Sequence, residues 1–590
     1  MLLCSAFNGL SQRTWTELRA DGHDVTVRLA VTADGMIRAV TAANPDLILC
    51  PYLRLRVPDE VWRNYLTIIL HPGPKGDRGP SSLDWAITDR APRWGVTAVA
   101  AIDEMDAGPI WGSRTFPMPI DPPRKSTLYN TEVADAAISL VREVTAKCAD
   151  PGFVPALLDY TRPDVVGRPR PTMKQADRSF SWSDPTERIL RRIRAADGSP
   201  GVRTTLAGVP VSVFDAHRGS APPAPPGEPG SIALRRHGAV LVRTGDGAIW
   251  VGHARRLSPD DARPAVKLPA TLALGPSVAG VPEALEPLEC PELTDYREIS
   301  YRRMGDVGVL WFDFYNGAMS TARCQRLTAA FRHAVAQDTK VLVFAGGEVF
   351  SNGMHLGVIE AHPNPAAEAW RNINAIDDLC REIITCTDQV VVSAIGGGAG
   401  AGGVMLALAA DHALTREGVV LNPHYRTMGL YGSEYWTYVL PRRVGDQQAE
   451  RLTSRCEPVG AVEAKRIGLV DAVLPGDRAT FTGHVLEYAT ELAAGPAWAR
   501  LLDDKRSARE ADEQRRPLET YRVGELAEMS RDIFDNRNGF AQARHAFITK
   551  RRADASSQLP HVPAPRGTAE VASDRPEPAR RWARWLTRLG

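Results

Sequence analysis

The chain has 590 residues, of which 44% are hydrophobic and 24% are charged, and its formal net charge is +1. A chain of this length exceeds what one hydrophobic core usually supports, so we expect three or four domains. The near-zero net charge gives no electrostatic reason to expect a nucleic acid or an anionic membrane as a partner, and the longest apolar runs are too short for a membrane span.

The eight cysteines are scattered along the chain, and no two of them form a Cys-x-x-Cys pair. This usage argues against a disulfide framework or a zinc site and is typical of a reduced interior. Because no cluster of His, Cys and carboxylate residues has metal-ligand spacing, we predict no metal site. The first residues are too few and too uncharged for a secretory signal. We therefore expect a cytoplasmic enzyme.

Residues 1–165 alternate short apolar runs with helical patterns. The expected strands are Leu2–Phe7, Val25–Leu29, Leu47–Leu49 and Leu66–Leu70, with a first helix over Ser11–Ala20. This alternation predicts an α/β domain built on a parallel, Rossmann-like sheet. The Gly-x-Gly-x-x-Gly pattern is absent, so a dinucleotide site is not expected.

The segment 71–87, HPGPKGDRGPSSLDWAI, follows the predicted strand Leu66–Leu70. A histidine at the end of such a strand lies where open α/β sheets bind their ligands. Together with GVT at 95–97 and DEMDAGPI at 103–110, this segment resembles the folate-dependent formyltransferases. The full sequence of segment 71–87 resembles the HypX/HoxX family of hydrogenase maturation factors, and that resemblance covers nearly the whole chain except the last few dozen residues.

The formyltransferase resemblance implies that His71 manages protons and that Asp106 fixes its tautomer. The family's asparagine, two residues before the histidine, is here Ile69, so its oxyanion donor is missing. We expect an amide of Asn8 or Gln12 to replace it. The alternative is that His71 merely caps a strand. Two further residues are candidate ligands for the anionic folate tail or for a phosphate: Lys75 and Arg78.

Residues 166–285 contain a series of short strands separated by turns, which predicts a small β-barrel subdomain. This order is similar to the C-terminal subdomain of formyltransferases. A Pro-rich stretch at 220–227 is predicted to be a surface loop.

A second α/β block, residues 295–552, contains AGGEVFSNGMHL at 345–356 and GGGAGAGG at 396–403, followed by an apolar helix over Val404–Ala410. Glycines at this density imply close backbone approach, and the free N–H groups of a helix start can bind an oxyanion. The pair of motifs resembles the crotonase (enoyl-CoA hydratase) superfamily. The resemblance places the two oxyanion amides on Met354 and Gly402, with Gly353 and Gly403 beside the bound cofactor. The alternative is a glycine-rich packing joint.

The acid/base glutamates of the hydratases fall on Met405 and His424, so ordinary alkene hydration is not expected. The segment that follows is dense in aromatic and ionisable groups, and it supplies the candidates for a new base: His424, Tyr431, Glu434 and Tyr435. We prefer Glu434, because burial among Tyr431, Tyr435 and Trp436 would raise its pKa toward neutrality. The alternative is a structural glutamate paired with Arg442 or Arg443.

Residues 553–590 are rich in Pro, Ala, Arg and Glu and are predicted to be a disordered tail. For the whole chain, the resemblance implies formyl transfer from 10-formyltetrahydrofolate to coenzyme A, followed by decarbonylation of formyl-CoA to CO for a nickel–iron hydrogenase. It implies small-molecule substrates and, as protein partners, other hydrogenase maturation proteins. Two alternatives stay open: a formyl-CoA synthase or hydrolase without CO release, and a non-catalytic scaffold that binds folate and CoA.

Overall fold

The computed structural model describes residues 1–220, 227–257, 266–285, 287–289 and 295–550. Within these ranges the chain forms three successive units, each with its own main sheet and hydrophobic core. The predicted fold class, α/β with a small β subdomain between two α/β units, is confirmed. Residues 221–226 of the predicted Pro-rich loop at 220–227 and the predicted tail at 553–590 lie outside the described residues. No helix in the described ranges is long and apolar enough to cross a bilayer.

The N-terminal unit is built on a six-stranded sheet. Its strands are β1 (Leu2–Cys4), β2 (Val27–Leu29), β3 (Ile48–Cys50), β4 (Thr67–His71), β5 (Arg93–Ala100) and β6 (Ile110–Pro117). Its helices are α1 (Gly9–Ala20), α2 (Ala33–Ala43), α3 (Asp59–Trp62), α4 (Ser82–Thr88), α5 (Lys125–Leu128) and α6 (Ala134–Ala149), with one π-helical turn at Tyr129–Val133.

The strand order of this sheet is β2-β1-β3-β4-β5-β6. The first four strands are parallel, as predicted, and every residue of β1 and β3 is buried because helices cover both faces. The last two strands return antiparallel. The link from β5 to β6, residues 101–109, is shorter than the dozen or so residues that a parallel crossover needs.

The middle unit is an antiparallel sheet of order β7-β8-β11-β10-β9, with β12 paired to β11. Its elements are α7 (Gln175–Arg178), α8 (Thr186–Ala195), β7 (Val202–Leu206), β8 (Val209–Gly219), β9 (Ile232–Arg236), β10 (Ala239–Arg243), β11 (Ala248–Arg256), β12 (Leu268–Pro269) and α9 (Ala270–Leu274). The predicted β subdomain is therefore present, and its strands are antiparallel. Across the described residues its two ends, β7 and β9, are not paired with each other, so the sheet stays open and does not close into the predicted barrel.

The C-terminal unit begins with a six-stranded sheet of order β13-β14-β15-β16-β18-β21 and adds a small sheet of order β17-β19-β20. The strands are β13 (Ile299–Met304), β14 (Val307–Phe312), β15 (Val341–Gly346), β16 (Val390–Ile395), β17 (Ala399–Gly400), β18 (His412–Arg416), β19 (Val420–Asn422), β20 (Val459–Gly460) and β21 (Ala472–Leu474). In the large sheet only the β13–β14 pair is antiparallel.

Helices surround these two sheets and form the C-terminal end of the described chain. They are α10 (Thr321–Val335), α11 (Leu356–Ala361), α12 (Pro365–Thr385), α13 (Gly402–Leu408), α14 (Trp436–Val444), α15 (Asp446–Arg455), α16 (Ala461–Arg466), α17 (Arg478–Ala494), α18 (Trp498–Arg515), α19 (Leu518–Phe534) and α20 (Phe540–Thr549). The helix predicted over Val404–Ala410 thus starts two residues earlier, on the glycines themselves.

Two features of this architecture position functional residues. In the N-terminal unit, α1 starts just after β1, at the same carboxyl edge of the parallel strands where β4 ends in His71. In the C-terminal unit, α13 is buried in the core at every position, with its N-terminus directed at the segment before α11.

Candidate active sites

The first candidate site surrounds His71, the last residue of β4. His71 is buried, with its Nε2 2.8 Å from Asp77 Oδ2 and its Nδ1 3.4 Å from Asp106 Oδ2. The structure therefore brings the predicted pair together and adds a second carboxylate on the other ring nitrogen. One imidazole between two carboxylates is held in a fixed orientation.

The local sequence explains why this cluster is so compact. A β-carbon at Gly73 would lie 2.3 Å from Asp77 Oδ2 and 2.7 Å from His71 Nε2, so only glycine allows the approach. Asp106 has a positive φ of 53° and accepts a hydrogen bond from the Gly79 N–H at 3.2 Å. Asp77 Oδ1 is buried and has no hydrogen-bond partner within the described residues, so it can accept a hydrogen bond from a ligand.

Sequence reasoning did not single out Asp77. The available signal was its place in the same Gly/Pro loop, six residues after His71. A carboxylate in a loop that folds back toward its own histidine can be predicted to pair with that histidine. The prediction of Asp106, in contrast, depended on the family resemblance.

The two candidate oxyanion donors both lie at the start of α1. The Asn8 side chain caps the helix, and its Nδ2 donates to the Tyr129 hydroxyl at 3.3 Å. Gln12 Nε2 donates to the Phe7 carbonyl at 2.9 Å, and its Oε1 accepts from Asn422 Nδ2 at 2.9 Å. Each amide uses one N–H in these contacts, so a role at the formyl oxygen stays a prediction. The Asn422 contact ties Gln12 to the C-terminal unit as well.

The two candidate ligands for the folate tail already have acidic partners. Lys75 Nζ is 2.7 Å from Asp164, and Arg78 pairs with Glu104 at 2.6 Å while also donating to the Met105 carbonyl. An anionic ligand would have to compete with these carboxylates, and the predicted role of both cations is untested.

The second candidate site is formed by two backbone amides of the C-terminal unit. Gly353 has a positive φ of 72°, and a β-carbon on it would lie 3.5 Å from the Gly402 nitrogen, so the Gly353–Met354 peptide and the start of α13 lie side by side. Within the described residues, neither the Met354 N–H nor the Gly402 N–H has a hydrogen-bond partner. Two free N–H groups at one place are what an oxyanion requires.

The packing alternative also holds for part of this motif. A β-carbon at Gly403 would lie 2.0 Å from the Ser351 carbonyl oxygen, so this glycine is needed for close packing whatever binds nearby. The predicted contacts of Gly353 and Gly403 with a cofactor are not tested by this geometry.

Glu434 lies directly beside these amides. Only 1% of the residue is exposed, and a β-carbon at Gly402 would lie 1.9 Å from Glu434 Oε1. Its Oε2 accepts a hydrogen bond from the Tyr425 hydroxyl at 2.9 Å. Burial, together with the nearby Asp377 carboxylate, raises the pKa of Glu434 to about 8. The predicted rise in pKa is therefore present.

The surroundings of Glu434 differ from the prediction. Tyr431 is 38% exposed and packs its ring at 5.4 Å from that of Trp436, so it does not enclose the carboxylate. Tyr425, which sequence reasoning did not propose, supplies the hydrogen bond instead. The tertiary packing of residues 425–434 into a closed loop decides this, because the Tyr425 hydroxyl oxygen also lies 3.1 Å from the Ser433 carbonyl oxygen.

The predicted alternative pairing of Glu434 with Arg442 or Arg443 is wrong. Arg442 pairs with Asp512 at 2.7 Å and Arg443 with Asp471 at 2.8 Å, so both arginines are bound elsewhere. The carboxylate of Glu434 is therefore buried beside the two amides with a phenol as its partner.

The backbone at Glu434 is held in a strained form by two buried acids. Glu434 and Tyr435 have positive φ values of 59° and 57°, which cost about 1–3 kcal/mol each in non-glycine residues. The Glu434 N–H donates to Asp377 Oδ1 at 2.8 Å, and the Tyr435 N–H donates to Glu525 Oε2 at 2.9 Å. Burial raises the pKa of Asp377 to about 7 and that of Glu525 to about 8. Neither acid had a local sequence signal, since they come from α12 and α19.

The remaining candidates are placed around this centre. The Tyr435 side chain is buried, and its hydroxyl has no partner in the part of the chain that the structure describes. His424 is half-buried, and its N–H donates to the Asn422 carbonyl at 2.8 Å. Met405 is fully buried within α13, so the position to which the crotonase resemblance assigns the first hydratase glutamate holds no titratable group.

Comparison with known proteins gives matches over most of the chain. A family profile described as enoyl-CoA hydratase/isomerase matches residues 314–558, and one described as the C-terminal domain of formyl transferase matches residues 172–261. The hydrogenase maturation factor HoxX of Bradyrhizobium diazoefficiens is 42% identical over 553 residues, which cover 93% of this chain and 94% of that protein.

A solved structure matches over a similar extent. HypX from Aquifex aeolicus, crystallised in complex with tetrahydrofolic acid, superposes with a TM-score of 0.89 at 38% identity, covering 94% of this chain and 96% of that one. A probable enoyl-CoA hydratase of Rhodobacter capsulatus is 29% identical over 211 residues, or 35% of this chain and 78% of that protein.

Proposed function

The chain belongs to the HypX/HoxX family of hydrogenase maturation factors, and from that premise we propose that it makes carbon monoxide for a nickel–iron hydrogenase in two steps. The N-terminal site transfers a formyl group from 10-formyltetrahydrofolate to the thiol of coenzyme A. The site at Met354 and Gly402 then splits formyl-CoA into CO and CoA.

In the first step the thiol sulfur attacks the formyl carbon, and the bond from that carbon to the folate nitrogen breaks. The thiol proton must leave and the folate nitrogen must gain one. His71 is the group that carries this proton, because an imidazole can both accept and release a proton and because Asp77 and Asp106 hold this ring in place. The tetrahydrofolic acid bound to the Aquifex aeolicus relative supports folate as the formyl donor.

In the second step the carbonyl oxygen of formyl-CoA accepts hydrogen bonds from the Met354 and Gly402 amides. Glu434 removes the formyl proton, the carbon–sulfur bond breaks, and CO leaves. The same proton then passes from Glu434 to the departing sulfur, so atoms and charge balance. A carboxylate whose pKa is about 8 exchanges a proton with such a centre more readily than an ordinary glutamate near neutral pH.

One observation carries this proposal: a buried glutamate with a raised pKa lies against the first residue of the helix that offers the oxyanion amide. The hydratase arrangement places its acids elsewhere, and here those positions hold Met405 and the half-buried His424. The site therefore retains carbonyl activation but has a different proton acceptor, which fits cleavage of a formyl thioester better than addition of water to an alkene.

The decisive experiment supplies 10-formyltetrahydrofolate and CoA to the full-length protein under anaerobic conditions and measures CO in the headspace, with formate and formyl-CoA measured in solution. CO in proportion to the tetrahydrofolate formed is the expected result. Formate instead of CO would assign the hydrolase alternative, and accumulation of formyl-CoA would assign the synthase alternative. Absence of all three products would support the alternative of a non-catalytic scaffold that binds folate and CoA.

A further inference from the structure

We infer that the N-terminal unit positions the oxyanion amides of the C-terminal unit, with Gln12 and Thr127 as positioning residues for formyl-CoA cleavage. The inference rests on the proposed function of the Met354 and Gly402 amides. It adds that a side chain of the N-terminal unit supports each of the two segments carrying these amides, directly at Glu348 and through Asn422 at the start of α13.

The first connection runs from α1 to the start of α13. Gln12 Oε1 accepts from Asn422 Nδ2 at 2.9 Å, and the Asn422 carbonyl accepts from the Ala401 N–H at 2.8 Å. Ala401 has a positive φ of 49° immediately before Gly402. A non-glycine residue keeps such a conformation only where its surroundings hold it. Gln12 therefore holds Asn422, and Asn422 holds the turn that aims the Gly402 N–H.

The contact is part of a wider docking of α1 on the small sheet of the C-terminal unit. A β-carbon at Gly418 would lie 2.4 Å from the Arg13 guanidinium, and one at Gly460 would lie 3.1 Å from Thr16. The glycines let the helix approach the ends of β19 and β20 closely. The helix that carries Gln12 is therefore packed against the C-terminal unit, and the Gln12 side chain does not have to reach across solvent.

The second connection runs from α5 to the segment that ends in Met354. Thr127 Oγ1 donates to Glu348 Oε2 at 2.6 Å, and Arg124 pairs with the same carboxylate oxygen. Arg124 also donates to Asp215 Oδ1 of the middle unit at 2.9 Å, so this one cation joins all three units. Glu348 begins the run 348–354 that delivers the Met354 amide.

The two connections meet at the glycine motif itself. A β-carbon at Gly397 would lie 2.0 Å from the Glu348 carbonyl oxygen, and the Phe350 N–H donates to the Gly398 carbonyl at 3.0 Å. The two amide-bearing segments therefore pack on each other while each is held from the N-terminal side. Because an oxyanion site is sensitive to displacements of about 1 Å, contacts that set this spacing affect rate more than binding.

Two pairs of matched variants test the inference in the full-length protein. Gln12→Met keeps the length of the side chain but removes both its acceptor for Asn422 and its donor to the Phe7 carbonyl. Gln12→Glu also loses the donor to Phe7 but retains the acceptor, so the difference between the two variants reports on the Asn422 contact. Thr127→Val keeps the shape but removes the donor to Glu348, whereas Thr127→Ser retains it. Formyl-CoA is supplied directly, so the first step and any role of Gln12 in it are bypassed.

We expect Gln12→Met and Thr127→Val to lower kcat for CO release by about 10- to 100-fold with a smaller change in KM, and Gln12→Glu and Thr127→Ser to restore it. Amide hydrogen exchange supplies a readout that does not depend on activity. Peptides covering 396–408 should exchange faster in Gln12→Met, and peptides covering 346–356 faster in Thr127→Val, with the conservative variants like the wild type.

Equal turnover and equal exchange in both members of each pair would overturn the inference while leaving the proposed function intact. If the wild type releases no CO from formyl-CoA, the proposed function fails, and the exchange comparison alone then decides whether the N-terminal unit holds these two segments.

Discussion

The Glu434 carboxylate occupies the space in which any side chain on Gly402 would begin. Its Oε1 lies 1.9 Å from the position of a β-carbon at Gly402, whose amide N–H has no partner within the described residues. A proton acceptor and an N–H without a partner in the described part of the chain thus lie at the first residue of α13, and removal of a proton from an activated carbonyl compound requires both groups close together.

Replacing Glu434 by Gln should lower CO release from directly supplied formyl-CoA by about 100- to 10,000-fold, since proton transfer contributes about this much. Glutamine preserves shape and can still accept the Tyr425 hydrogen bond, so folding should be retained. Glu487→Gln, on the exposed side of α17, is the matched control and should act like the wild type. A wild-type rate in Glu434→Gln would make Glu434 structural and direct attention to Tyr435 or His424.

Gly402→Ala should abolish formyl-CoA cleavage, because its β-carbon would displace the Glu434 carboxylate and shift the oxyanion amide. Loss of one oxyanion donor alone costs about 100- to 1,000-fold in rate. Gly483→Ala is the control, since a β-carbon there meets nothing within 4 Å. Continuous CO detection with formyl-CoA as substrate measures the activity of both variants. An active Gly402→Ala protein would contradict the close contact between Gly402 and the Glu434 carboxylate.

The free energy of unfolding should fall as the pH becomes more alkaline. Asp377, Glu434 and Glu525 have pKa values raised to about 7, about 8 and about 8, while the unfolded chain releases these protons near pH 4. Between those limits the folded state binds more protons than the unfolded state, so the stabilisation from these acids is complete at the acidic end and is lost by about pH 8. Three interacting carboxylates titrate as a group.

The measurement is the urea midpoint between about pH 6 and about pH 9. The midpoint of the wild type should decrease across this range, and Asp377→Asn should weaken the dependence. A midpoint that rises with pH across the window would contradict the buried, proton-holding state of this cluster.

In the first site, Asp77→Asn should lower formyl-CoA production from 10-formyltetrahydrofolate by about 100-fold or more, as expected for loss of a group that supports proton transfer. His71→Ala and Asp106→Asn should abolish it. All three should still release CO from supplied formyl-CoA. Asp103→Asn, an exposed acid in the loop of Asp106, serves as control, and a normal rate in Asp77→Asn would remove Asp77 from the mechanism.

The C-terminal unit should not hydrate crotonyl-CoA at a rate typical of a hydratase. Met405 is buried in the core of α13 and has no titratable group, so one of the two acids that activate water is missing. Loss of absorbance of crotonyl-CoA in the presence of the full-length protein is the assay. Efficient hydration would mean that other residues, such as Glu434, can serve the hydratase role.

Much of the fold and part of each site were predictable because their signals are local. His71 and Asp106 stand in motifs that carry a resemblance, and the structure brings them within 3.4 Å. The high glycine content around Met354 and Gly402 is enough to predict that the backbone segments approach each other closely. The prediction of Glu434 as a buried acid with a raised pKa likewise came from its aromatic neighbours in sequence, although Tyr425, and not Tyr431, is its partner.

What the sequence determined by itself is therefore the order of strands, helices and glycine motifs, since backbone propensity and apolar periodicity act over a few residues. What only the tertiary structure decided is which distant groups share one buried volume. Asp377 and Glu525 hold the strained turn at Glu434 from two separate helices, and Gln12 reaches Asn422 from the other half of the protein. Such contacts leave no local pattern, because they depend on how packed elements meet and on the need of each buried polar group for a partner.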